Sequence, residues 1–349
     1  MAKKLWQGVC MIIIGVLIFS VFNNAVTFFS PYSPKSEQAL SITSAHESGG
    51  KINRQKIRIL SFNTAHAALG AEGSVAKEGG KNNRADTDTV LKNVRGIAEI
   101  INLSLADVVF LQDVDLDSHR SRYVNQFTYY IQNGKYSAAF STSQKSRSQS
   151  ISLFNKKIDS GNMTLSRRKM DSALRVTLPK YSNGAKAFSK LPHLLISKMP
   201  IEGSDKFLYV INLDLEKYLD SASLKEQTEI AINYAKSLYT NGNYVVLGGS
   251  FYRSFDNSKN WYPLSEKNLW SPSDMSVTEV PSGWSLSFDK SVPTARILSA
   301  PYEYSEDRQV YVGDGFILSP NITVNMIATV DQEFRYSAHN PVLIDITLN

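Results

Sequence analysis

The residues that could do chemistry gather at the ends of short apolar runs. Tyr244 to Leu247 leads into Gly248-Gly249-Ser250-Phe251-Tyr252. Two glycines at a strand end let the backbone turn sharply or approach a ligand closely, and strand ends are where α/β enzymes place catalytic side chains. Hydrolysis at such a point calls for a carboxylate and an amide, whereas this chain offers the hydroxyls of Ser250 and Tyr252. Neither is a competent base near neutral pH without a partner; a lysine brought close by the fold would be one. Other runs end in Asn63, in Gln112-Asp113-Val114-Asp115 and in Asp214, while Asp314 opens Asp-Gly-Phe-Ile and His339 stands in Ser-Ala-His-Asn-Pro-Val. Each has an ordinary reading too: a turn cap for Asn63, solvated strand ends for Asp113 and Asp115, a loop histidine for His339, and internal ion pairs for Arg120 and Arg296. Cys10, the only cysteine, lies in the apolar N-terminal segment, which excludes a thiol nucleophile and a cysteine-ligated zinc from the rest of the chain.

The elements that must position these residues alternate between strand and helix patterns. After a strand at Ile57 to Asn63 and a Gly- and Ala-rich loop to Asp86, Val90, Val94, Ile97 and Ile101 recur at helical spacing. This predicts a helix over 87–104 with Asp86 as N-cap. A buried strand from Asp107 to Leu111 and a helix from Tyr123 to Gly134 follow. Strand-like runs lie at 137–142, 150–154, 162–167, 173–178, 193–198 and 206–212. Ser223 with Glu226 reads as a capping box, and Leu224, Ala231, Ala235 and Leu238 share one helix face. Strands at 243–248, 309–318, 321–329 and 341–347 complete one α/β domain.

Taken together, the strand ends resemble the endonuclease/exonuclease/phosphatase superfamily of metal-dependent phosphoesterases, over Lys56 to Asn349. The resemblance is carried by Ile59-Leu-Ser-Phe-Asn63, Val108-Val-Phe-Leu-Gln-Asp113, Val210-Ile-Asn-Leu-Asp214, Asp314-Gly-Phe-Ile and Ser337-Ala-His339-Asn-Pro-Val. Glu78-Gly-Gly-Lys, Asp117-Ser-His-Arg120, Pro293-Thr-Ala-Arg296-Ile and Phe334-Arg-Tyr-Ser resemble a membrane-anchored bacterial branch. The resemblance implies a four-layer sandwich of two packed β-sheets flanked by helices. It also implies phosphoester hydrolysis with Mg²⁺ or Mn²⁺ held at Asn63 and Asp113, and phosphate contacts from Arg296 and Arg120. Asp314 and His339 match the pattern. Four positions depart from it: Asp214 for a histidine, Ser250 for the catalytic Asp, Tyr252 for its partner Asn, and Ala338 for the Asp that would orient His339. Asp113 is one methylene shorter than the family's Glu. Groups that act as a unit fail as a unit. The expectation is therefore a degenerate member with weakened or absent hydrolysis that works by binding a phosphoester of lipid, nucleotide or envelope polymer. The alternatives are an active metal-dependent phosphodiesterase with rewired ligands and a structural envelope protein.

The 349 residues, 42% hydrophobic, supply a large core, and a net charge of +6 without long basic runs does not favour a nucleic-acid partner. Lys3 and Lys4 precede Leu5 to Phe29, which carries no charged side chain and is long enough to cross a bilayer. Residues 1–30 thus read as a membrane anchor or signal peptide, 31–55 as a flexible stalk, and 56–349 as the phosphoesterase-like domain. The expected place is the cell membrane, single-pass with the large domain extracytoplasmic, or secretion if the segment is cleaved. Protease added to intact cells is expected to remove the large domain; protection until lysis would overturn this orientation.

Overall fold

A computed structural model describes residues 2–29, 32–44, 49–81, 85–146, 157–181, 190–302 and 309–349. The central strands are β3 (Ile57–Asn63), β4 (Val108–Asp115), β9 (Phe207–Asp214) and β10 (Tyr244–Ser250). They read as unbroken apolar runs because both of their faces are covered. Ile59, Phe110, Val210 and Val246 point between two sheets, while Leu60, Leu111, Ile211 and Leu247 point outward to helices. With β1 (Glu37–Leu40), β2 (Ile42–Ser44), β5 (Ser137–Lys145), β6 (Asp159–Ser166), β7 (Ser172–Thr177) and β8 (His193–Pro200), they build two seven-stranded sheets. One runs β1, β7, β8, β9, β10, Asp314–Leu318, Ser285–Ser287; the other runs Ile322–Thr329, Val342–Leu348, β3, β4, β6, β5, β2.

Helix α1 is Ala2–Phe29, α2 Thr87–Leu103, α3 Gln126–Gln132 and α4 Ser221–Tyr239. Leu224, Ala231 and Ala235 of α4 cover the first sheet, and Val90, Val94, Ile97 and Ile101 of α2 cover the second. This is the expected four-layer α/β sandwich. Each large apolar side chain so buried contributes about 1.5–3 kcal/mol. Asp86 caps α2, its carboxylate accepting from the Thr89 N–H at 2.7 Å. Lys3–Phe22 of α1 has a mean hydropathy of 2.3, long and apolar enough to span a membrane, as a signal sequence also would be.

Between the sheets, the apolar filling gives way to amides toward the strand ends. Gln112 Nε2 donates to Asn212 Oδ1 at 2.8 Å, and Asn212 Nδ2 donates to the carbonyls of Leu111 (3.1 Å) and Met163 (3.0 Å). The two glycines after Leu247 have separate causes. A Cβ on Gly249, whose φ is +138°, would stand 1.9 Å from the Leu213 carbonyl oxygen, and one on Gly248 would stand 2.4 Å from the Phe316 ring.

Several expectations change. Within the segment read as a flexible stalk, β1 pairs antiparallel with β7 and β2 with β5. These strands are short, polar and mostly exposed; backbone hydrogen bonds to open sheet edges hold them, so no burial pattern marks them. The α4 cap is Asp220, which accepts from the Ser223 N–H at 2.9 Å, not Ser223 itself. Helix α3 starts only at Gln126, because Arg122 and Tyr123 adopt left-handed φ of 55° and 62°. The run 309–318 breaks where the Gly313 and Asp314 N–H groups both turn to Thr294 Oγ1. The run 150–154 lies outside the described residues.

His193 is buried on β8, its Nδ1 3.0 Å from the Leu191 carbonyl oxygen, and burial together with the nearby Arg175 charge pushes it down to about 3. An unfolded histidine near 6.5 binds the proton more readily, so this group's stability contribution is present above pH 6.5 and lost as pH falls through 3. Relative to His193→Gln, the wild type is expected to lose up to about 1.4 kcal/mol per unit as the pH falls from 6.5 toward 3. Denaturant titrations at pH 7 and pH 4 check this; a constant difference would refute it.

Candidate functional site

Three neighbouring strands of the first sheet bring their polar ends into a row. Ser250 is in register with Asp214 on its parallel side and with Asp314 on its antiparallel side. In the second sheet, Asn63 pairs with Gln112, and Asp113 sits in a bulge of β4 with a left-handed φ of 54°. Such a backbone costs on the order of 1 kcal/mol or more and turns the side chain out of the pleat. Tyr252 and His66 are also left-handed, at 52° and 61°. The strand ends close around a cleft of about 580 Å³ lined by Asn63, Asp113, Arg120, Tyr252 and His339, together with residues that sequence reasoning did not single out.

The hydroxyls are held by hydrogen bonds and buried. Asn63 Nδ2 donates to Ser250 Oγ and to Tyr252 OH, both at 3.1 Å, and Asn63 Oδ1 accepts from the Ala65 N–H at 2.9 Å. Ser250 Oγ donates to Asp314 Oδ1 at 2.5 Å and is wholly buried. Asp314 Oδ2 meets His339 Nδ1 at 2.9 Å. Asp314 thus orients His339, the role assigned from sequence to the position of Ala338, which instead joins a small apolar cluster with Ala65 and Leu298. The Tyr252 ring packs edge-on to His339, with centroids 5.9 Å apart. Burial, with Asp214 and Asp113 alongside, raises the Tyr252 phenol well above its ordinary value, so it stays protonated.

A lysine does enter the cleft, Lys190, but its partners are carboxylates and not the Ser250 or Tyr252 hydroxyls. Its Nζ contacts Asp214 Oδ2 and lies 3.2 Å from Asp113 Oδ1. Burial alone would raise the Asp113 carboxyl, but Lys190, His66 and Arg120 hold it well below the usual carboxylate range. Asp214 goes the other way: burial first, and the Asp113 charge second, push it up to about 7 against the pull of Lys190. Two further cleft cations are matched to carboxylates. Arg120 makes a two-point pair with buried Asp115 at 2.9 and 3.1 Å. Lys217 Nζ meets buried Glu78 at 2.7 Å and lies 4.7 Å from the centre of the Trp270 ring. Lys77 stands over the Tyr218 ring at 4.8 Å, with no carboxylate partner among the described residues.

Arg296 does not join the cleft. It is buried, and its guanidinium donates to the carbonyls of Gly70 (2.6 Å), Gly73 (2.8 Å) and Ala300 (3.0 Å), so it braces a loop rather than waiting for a phosphate. The residues at the expected metal position do not fit a divalent ion. Lys190 lies against the Asp113 and Asp214 carboxylates, the Asn63 carbonyl oxygen is taken by the backbone, and among the described residues no three His, Asp or Glu side chains converge to hold a metal.

Sequence reasoning missed Lys190, Lys217 and His66. Lys217 follows the strand-end Asp214 by three positions and His66 follows Asn63 by three, spacings that only the strand assignment makes visible. Nothing local marks Lys190.

Neither a family model nor a curated protein sequence matches this chain. Solved structures do. An endonuclease/exonuclease/phosphatase from Beutenbergia cavernae DSM 12333 aligns with a TM-score of 0.58 at 16% identity, covering 85% of this chain and 72% of that one. An endonuclease/exonuclease/phosphatase family protein from Bacteroides thetaiotaomicron gives 0.55 at 12% identity, over 84% and 96%. D. rerio TDP2 complexed with single strand DNA product gives 0.52 at 14% identity, over 84% and 99%. The chain therefore has the endonuclease/exonuclease/phosphatase fold, as its motifs implied.

The Asp214 carboxyl is raised above its ordinary value of 3.8, so its stabilising contribution is present below that pH and lost as pH rises through about 7. Asp113→Asn removes a neighbouring negative charge and is expected to lower the Asp214 midpoint; Lys190→Met removes the opposing positive charge and is expected to raise it. Carboxyl-band infrared titration reads both shifts, and a midpoint that ignores both substitutions would refute the assignment.

Proposed function

We propose that this chain is a membrane-anchored, extracytoplasmic domain of the endonuclease/exonuclease/phosphatase fold that has lost efficient hydrolysis and works by binding a phosphoester-bearing ligand in its cleft. The observation that carries this reading is the closed hydrogen-bond set of Asn63, Ser250, Tyr252 and Asp314. Where a hydrolase needs a base to take a proton from water, this cleft has a buried serine already donating to Asp314 and a phenol that stays protonated. Donors for a phosphate oxygen remain on the cleft wall in Arg120 and in Lys77 at the rim. The apolar α1 segment after Lys3 and Lys4 supports the anchor; cleavage of the segment would make the same domain a secreted one.

The candidate ligands are a lipid phosphoester, a nucleotide and an envelope polymer. The likeness to D. rerio TDP2 with its DNA product adds single-stranded DNA as an arm of the test, although the paired cations of this cleft leave little surplus positive charge for a polyanion. The intact His339–Asp314 pair is what favours the second reading, a live hydrolase.

Turnover of a model phosphodiester by the purified full chain, with Mg²⁺, Mn²⁺ or chelator, is expected to stay at background. Restoring single positions is expected to do little. Turnover is expected only when Asp113→Glu, Lys190→Ala, Asp214→His, Ser250→Asp, Tyr252→Asn and Ala338→Asp are combined. Robust turnover by the unmodified chain that Asp113→Ala abolishes would overturn the reading. A rise in melting temperature with glycerophosphate, a nucleotide or an oligonucleotide separates a binder from a scaffold; no shift with any of them would favour the structural role.

A further inference from the structure

We propose that the Lys190 ammonium is the resident cation of the cleft, holding Asp113 and Asp214 in the place where a divalent ion would have to sit, so that the cleft takes its ligand without metal. The inference stands apart from the reading of the cleft as a binding site, since it concerns what neutralises the two carboxylates and not what enters beside them.

The geometry is specific. One Nζ atom touches Asp214 Oδ2, lies 3.2 Å from Asp113 Oδ1, and stands 5.8 Å from the centre of the Tyr252 ring. It thereby joins the two sheets through their facing strand ends. The main chain on its C-terminal side is held: the Leu191 N–H donates to the Ser143 carbonyl at 2.7 Å, and the Leu178 N–H donates to the Pro192 carbonyl at 3.0 Å. A surface lysine forfeits side-chain freedom when it is held in one pose; here the backbone restraint limits the search before the ion pairs form. The buried Asp214 carboxylate facing that of Asp113, which lines the cleft, would be a heavy liability without a cation, so something positive has to occupy the space between them. An ammonium does so with three donors and no octahedral demand, whereas Mg²⁺ or Mn²⁺ asks for a shell of oxygen ligands. The oxygens that would complete such a shell are committed elsewhere, Asn63 Oδ1 to the Ala65 N–H and Ser250 Oγ to Asp314. The Tyr252 substitution fits the same logic, since its ring offers a face to the lysine where a metal site would need an oxygen.

The test is Mn²⁺ binding to the detergent-purified full chain, followed by the loss of the free-ion electron paramagnetic resonance signal. The wild type is expected to show no site that depends on Asp113. Lys190→Ala opens the carboxylates and is expected to gain one Mn²⁺ per chain, at least about tenfold tighter than any wild-type binding, a gain cancelled by adding Asp113→Asn. A Lys190→Ala chain that folds with Mn²⁺ but not without it supports the proposal equally. A wild-type Mn²⁺ site lost in Asp113→Asn would overturn it. So would a Lys190→Ala chain that binds no Mn²⁺, or that stays unfolded whether or not Mn²⁺ is present. None of these outcomes depends on phosphoester binding, so failure here and failure of the proposed function are told apart.

Discussion

The amide seam between the sheets is the constraint on which the site depends. Gln112 on β4 and Asn212 on β9 meet inside the sandwich, and Asn212 also reaches the Leu111 and Met163 carbonyls on the opposite sheet. Apolar faces can slide over one another at little cost, because the hydrophobic effect is non-directional. Hydrogen bonds between buried amides cannot slide, since a displaced donor or acceptor would be left unpaired. The seam lies immediately before the strand ends Asp113 and Asp214, so it sets the distance across which those carboxylates face each other.

From there outward, the site is built by compensation. Five acids at the cleft are met by basic side chains: Asp115 by Arg120, Glu78 by Lys217, Asp314 by His339, and Asp113 and Asp214 by one lysine. Burial first, and the Asp113 charge second, raise the proton affinity of Asp214 toward neutrality, because the one lysine that serves both carboxylates does not offset them. A buried polar network of this kind is stable only when every member is satisfied, which is why removing one member disturbs its neighbours.

The parts of this arrangement that were legible in the sequence are those encoded over short distances. Strands covered on both faces appear as apolar runs, so β3, β9 and β10 with their terminal Asn63, Asp214 and Ser250 could be read directly, as could Asp86 at the start of α2; β4 could be read only to Leu111, because the bulge at Asp113 interrupts its pattern before Asp115. The hydroxyl substitutions at Ser250 and Tyr252 were visible as mismatches of residue type. What could not be read depends on pairings between distant segments. Lys190 acquires its role only because β8 packs beside β9 and the sheets stack. Asp314, and not the residue next to His339, orients that ring because an antiparallel neighbour of β10 delivers it there. Arg296 looked like a phosphate contact by motif, yet backbone carbonyls of a loop claim every bond it makes.

The two short strands near the N-terminus have a consequence for proteolysis. β1 and β2 cover the outer edge of one sheet each, separated only by Ser41. A cut before Glu37 would free a domain with both of these edges paired. A cut after Ser44 would strip β7 and β5 together, exposing two rows of unsatisfied N–H and C=O groups of the kind that template strand addition. A few residues in the position of a proteolytic nick would therefore separate a domain with these edges paired from a fragment prone to self-association.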